Sequence, residues 1–147
     1  MGAEEVSRLS APGRLAYLAV LGVLSVGAPA LACPLQPNGT ELNGNGERFG
    51  VAMRPAATPV RVGQSFSIVL TACDANGAPF TGELKVDAAM PMHKHGMNYR
   101  PTVMPLGGGK YKADGFLFHM PGRWQYRIEL RASDSVERIM IDQTVTR

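Results

Sequence analysis

Trp124, Tyr126, Ile128 and Leu130 alternate with Gln125, Arg127, Glu129 and Arg131. A period of two puts the apolar side chains on one face of an extended chain and the polar ones on the other. A helix would scatter the same residues around its axis, so this stretch is a strand with one buried face that needs a second layer to cover it. The alternation recurs along the chain. Phe49, Val51 and Met53 alternate with Gly50, Ala52 and Arg54, up to Pro55; Phe66, Ile68 and Leu70 sit within 65–73; Leu84, Val86 and Ala88 alternate with Lys85 and Asp87. Residues 60–62 suggest a short edge segment, 99–105 an extended one, 111–118 a strand with Phe116 and Phe118 on one face, and 136–145 the last strand. Turn signals fall between them at 74–77, 107–109, Pro121 with Gly122, and 132–135. About seven short strands without a long helical period predict an all-β chain folded as an immunoglobulin-like β-sandwich. Trp124, Phe66, Ile128 and Phe116 are the expected core, and the single Trp reads as core rather than as a binding platform.

With 147 residues the chain holds one domain. A net charge of +3 without any Lys/Arg run excludes a nucleic-acid stripe, and there is no phosphate loop or nucleophile triad.

Residues 1–32 have the order of a secretory signal: Arg8 and Arg14, then an apolar run over 15–26, then a helix break and the small-residue site Ala30, Leu31, Ala32. Cleavage there leaves a mature chain that begins at Cys33, in the periplasm or another exported compartment. An uncleaved anchor over 15–32 is at the lower length limit for a bilayer and is weakened by Gly22, Gly27 and Pro29. Lipid on Cys33 is a third reading, although Ala30 stands where a lipobox wants Leu. A membrane enters only through such an anchor or lipid. Residues 33–48, with Asn-Gly pairs at 38–39, 43–44 and 45–46, read as an exposed lead-in with turns, and 49–147 as the domain. Cys33 and Cys73 are the only cysteines, and an even count in an exported chain suggests a disulfide between them. It would close a loop of about 40 residues and contribute on the order of 3–4 kcal/mol. Two free thiols, or a lipidated Cys33 with Cys73 alone, are the alternatives.

The chemistry is concentrated in eight residues: Met90, Pro91, Met92, His93, Lys94, His95, Gly96 and Met97. They hold three thioethers and two of the three histidines; the third, His119, adjoins Met120. Thioether sulfur is soft and selects Cu(I), and imidazole suits copper in either oxidation state. The bland alternative is that methionine fills gaps in a core and the histidines are incidental. Loops cluster at the ends of a sandwich, so the two segments can meet there. Met120 shares the parity of Phe116 and Phe118 and so points inward, leaving His119 as the ligand from that strand unless Pro121 has already turned the chain. Met90 and Met92 would supply a thioether or shield the ion from water.

The pieces Asp87 to Pro91, His95 to Met97, Gly109 to Tyr111, Phe116 to Met120 and Gly122 to Trp124, in that order, resemble the YtkA-like domain, in the wider group that includes FixH-like proteins. The resemblance spans roughly 49–145. It implies an exported immunoglobulin-like domain and, for Met/His-rich members, copper binding with a role in copper supply or homeostasis. His95, Met97 and Met120 occupy the family-like positions and come first as ligands; His93 and His119 go beyond that pattern.

Three functions follow as expectations. The first is an exported copper chaperone or homeostasis factor that carries Cu(I) and passes it to a copper-accepting protein such as an oxidase subunit. The second is a metal enzyme; no acid–base pair adjoins the cluster, and no cysteine stands by the histidines as a blue-copper site requires, so a non-enzymatic role is expected. The third is a metal-free interaction module of an exported assembly.

Overall fold

The computed structural model describes residues 41–147, and strands account for most of them. In chain order they are β1 (Leu42–Asn45), β2 (Phe49–Pro55), β3 (Ser65–Asp74), β4 (Glu83–Met90), β5 (His95–Gly96), β6 (Thr102–Gly107), β7 (Lys110–Leu117), β8 (Gly122–Ala132) and β9 (Ser135–Val145). A single 3-10 turn, Pro91–His93, separates β4 from β5. One sheet has the order β1-β2-β3-β7-β6 and the other β5-β4-β8-β9. Every strand pairing is antiparallel. The all-β sandwich is therefore as the alternation implies. Among the described residues no helix is long and apolar enough to cross a membrane. The apolar stretch 15–32 and Cys33 lie outside them.

The core fills the space between the sheets. Val51, Met53, Ile68, Leu70 and Phe116 come from one side, and Leu84, Val86, Trp124, Ile128 and Leu130 from the other, all buried. The expected core residues Trp124, Phe66, Ile128 and Phe116 are all among the buried ones. Each large side chain so placed is worth about 1.5–3 kcal/mol relative to exposure.

There are two departures from simple alternation, and the first shapes the end of the sandwich that carries the histidines. In β7 the inward residues are first odd-numbered, Tyr111 and Ala113, and then even-numbered, Phe116. The switch occurs at Gly115, where the register against β3 shifts and φ is +101°. A glycine takes this left-handed conformation at no steric cost, and the bulge turns the next side chains to the other face. Phe116 and Phe118 thereby join Phe66, Trp124 and Tyr126 in one aromatic cluster, with Phe118 stacked on Trp124 at 4.3 Å between centroids.

The second departure is β1. Residues 42–45 form a strand on β2 where the Asn-Gly pairs suggested exposed turns. A Cβ on Gly44 would lie 2.6 Å from Ile139 Cγ2, so the chain passes close over β9 only because that residue is glycine. At 60–62 the structure has an isolated bridge between Arg61 and Thr146 in place of an edge strand.

Candidate metal centre

The Met/His stretch is a hairpin. β4 runs through Met90, the chain turns over Pro91–His93, and β5 returns with His95 opposite Met90 and Gly96 opposite Ala89. Pro91 suits the first position of the turn, where no backbone N–H is needed. Lys94 closes it in the left-handed region, φ 53°, with its N–H donating to the Pro91 carbonyl. The Met97 N–H then donates to the Ala88 carbonyl at 3.2 Å, which extends the pairing past β5.

The second contributor is the crossing from β7 to β8. Strand pairing ends at Leu117, and 118–121 pass from one sheet to the other. Three contacts hold this passage. The Gly63 N–H donates to the Phe118 carbonyl at 2.8 Å. The Trp124 indole N–H donates to the Met120 carbonyl at 2.9 Å. Gly122, at φ +128°, admits the Met90 thioether methyl; a Cβ there would lie 2.8 Å from Met90 Cε.

Hairpin and crossing meet through their histidines. His95 Nε2 and His119 Nε2 are 3.4 Å apart, with ring centroids separated by 5.1 Å. Both rings are half-buried and lie against Trp124, with centroids 6.2 and 5.4 Å from its ring. Among the described residues neither imidazole has another hydrogen-bond partner. Two such nitrogens either share one proton as complementary tautomers or turn both lone pairs to a common ion. With imidazole–metal bonds of about 2.0–2.1 Å, a 3.4 Å span corresponds to an angle of roughly 110° at the ion. That angle leaves room for a third or fourth ligand.

The candidate thioethers divide into three groups. Met97 and Met120 are half-buried, pack against the core, and lie within two residues of His95 and His119 respectively. Met90 is only 2% exposed and belongs to the core cluster, so its side chain packs beneath the hairpin. Met92 is 83% exposed at the turn. His93 is exposed beside it, its ring edge-on to His95 at 5.8 Å. The structure thus brings together His95 and His119 with Met97 and Met120 adjacent in sequence, and leaves Met92 and His93 outside. No three His, Cys, Asp or Glu side chains converge as metal ligands among the described residues. The parity argument for Met120 holds only in part: outside the strand, His119 and Met120 are both half-buried.

Trp124 and Gly122 were not among the candidate site residues. Trp124 is fully buried, as expected of core, yet its edge forms the wall behind both imidazoles and its N–H holds the crossing. The signal available was the spacing of Met120, Pro121, Gly122 and Trp124. Cys73 is buried at the end of β3 and disulfide-bonded, which removes it as a ligand; Cys33 lies outside the described residues. A surface groove of about 600 Å³ lies elsewhere, along β4, β8 and 100–103. It is lined by charges such as Glu83, Lys85 and Glu129 that are already ion-paired, and it contains none of the histidines or methionines.

No curated protein and no solved structure matches the chain significantly. The YtkA-like family model matches residues 49–129, a segment that contains the hairpin, the crossing and Trp124. The chain therefore belongs to the YtkA-like family.

Proposed function

We propose that the protein binds Cu(I) at the junction of hairpin and crossing and carries it, in an exported compartment, to a copper-accepting protein. One observation carries this reading: two imidazole nitrogens from segments 24 residues apart stand 3.4 Å from each other, with no other hydrogen-bond partner among the described residues. Satisfied histidines in a sandwich normally bond to backbone or carboxylate. Here they face one another, with thioether residues next to each in sequence and no carboxylate in the group. That donor set is soft and neutral, which favours a soft monovalent ion over Zn²⁺ or Ca²⁺. His95, His119, Met97 and Met120 would bind the ion, and Trp124 would shield it on the core side. The half-exposed position suits exchange with an acceptor better than long-term storage. A secretory-type segment at 1–32 and the disulfide at Cys73 support export to an oxidising compartment.

The deciding experiment is a Cu(I) titration of the protein in competition with bicinchoninate, beside the variant His95→Ala/His119→Ala. One-to-one binding that weakens by about 100-fold or more in the variant, with both proteins melting alike, is the expected result, since a metal site loses at least this much when its ligand set is broken. If the wild type takes up no Cu(I), the proposal fails. The protein would then be a metal-free interaction module, a reading that draws on the exposed Met104 and Leu106 along β6, an edge strand.

A further inference from the structure

The three imidazoles form a line rather than a cage. His93 is in ring contact with His95 at 5.8 Å, and His95 with His119 at 5.1 Å, while no three of the described His, Cys, Asp or Glu side chains converge. Exposure falls along the same line, from exposed His93 to half-buried His95 and His119. Met92 stands at the outer end, the most exposed of the large apolar side chains and part of a turn that has no buried residue. A single exposed methionine is ordinary on a protein surface. One that projects from a hairpin tip, next to an imidazole in contact with an inner histidine pair, has a chemical use.

Resting on the Cu(I) reading above, we infer that Met92 and His93 form an outer, transient Cu(I) position through which the ion passes between the inner ligands and an approaching acceptor. The hairpin geometry supports this. The 3-10 turn Pro91–His93, closed by Lys94 in the left-handed conformation, reverses the chain and leaves His93 and His95 in ring contact at the tip. The exposed turn lets Met92 and His93 change rotamer without disturbing the core, whereas Met90 directly before it is locked beneath. Transfer is then ligand exchange: the ion keeps its charge, and no electron moves. The bonds to His95, His119 and the inner thioethers are replaced one at a time by bonds to His93 or the Met92 sulfur, and these are replaced in turn by soft ligands of the acceptor, until no bond to the carrier is left. Every intermediate keeps at least two donors on the ion, so it is never released into water.

The test is stopped-flow transfer of Cu(I) from the loaded protein to bicinchoninate, with the equilibrium affinity measured on the same samples. Met92→Ala/His93→Ala should slow transfer by about tenfold or more, the effect of removing both outer donors from the transition state of exchange, while affinity changes by less than about twofold. Met104→Ser removes an exposed thioether remote from the hairpin and should leave the rate alone. An unchanged rate in the double variant overturns the outer position. So does a loss of affinity in proportion to the rate, because Met92 and His93 would then be resting ligands. A wild type that binds no Cu(I) overturns the underlying function, a result distinct from either.

Discussion

The two ends of the sandwich are built from the same strands and treat their polar groups in opposite ways. At the end away from the histidines, side chains are used up on the chain's own backbone. One Asp74 carboxylate oxygen accepts from the N–H groups of Asn76 and Ala78, and the Tyr111 hydroxyl is shared between the carbonyls of Phe80 and Gly82. Gly109 lets the 107–109 turn approach so closely that a Cβ would lie 2.6 Å from the Ala72 carbonyl oxygen. At the histidine end the backbone is held by Trp124, Gly63 and Gly122, and the two imidazoles are left facing each other. The first end commits its polar atoms to closing the fold. The second leaves its two imidazole nitrogens only to each other among the described residues, the arrangement the proposed Cu(I) site would use.

That contrast makes predictions. The largest is for Trp124→Phe. Losing the indole N–H to Met120 and part of the stacked core should cost about 2–4 kcal/mol in denaturant unfolding and also weaken Cu(I) binding, because the crossing that carries His119 and Met120 loosens. If stability falls while affinity is untouched, the wall behind the imidazoles has no part in the site. Gly122→Ala follows, at about 1–3 kcal/mol. The left-handed backbone and the nearby Met90 methyl both oppose a Cβ, and the same titration should show weaker Cu(I) binding. Tyr111→Phe is the control from the other end. It removes the donor to two backbone carbonyls and should destabilise by about 1–2 kcal/mol, with Cu(I) affinity unchanged. Burial raises the Tyr111 hydroxyl's pKa, so it remains a donor at neutral pH. A shift in affinity from this variant would erase the distinction between the ends.

The smallest effect lies on the outer face of the β4-β8-β9 sheet. Glu129 accepts from the Arg138 guanidinium at 2.9 Å, a bond that holds its carboxyl below the usual range. A lowered folded-state pKa means that this contribution is present above the unfolded value and is lost as pH falls through the folded one. Because both groups meet solvent, Glu129→Gln should cost only about 0.2–1 kcal/mol at neutral pH. The difference from wild type should vanish in acid, as thermal melts across pH would show.

Alternation in the chain was enough for the architecture. Strands, turns and the buried Trp124, Phe66, Ile128 and Phe116 are written locally, because side-chain direction in a strand depends only on the neighbouring residues. The metal candidates were legible as a group for a similar reason: thioether and imidazole clustered in a turn are conspicuous by composition. Which of them meet was not legible. His95 and His119 are 24 residues apart, one on β5 and the other on the unpaired crossing from β7 to β8, and only the packing of the two sheets sets their 3.4 Å separation. Strand parity gave no guide past Leu117, since the rule lapses where the pairing ends. Met90 and Met92 are two residues apart, yet one is packed into the core and the other is 83% exposed. The strand continues through Met90, and Gly122, thirty-two positions later, leaves the space for its methyl. β1 followed the same logic. Its Asn-Gly pairs read as turns, and Gly44 became strand because β9 lies directly against it. Residue pattern decides which face of a strand is buried; distances between separate segments exist only once the two layers have packed.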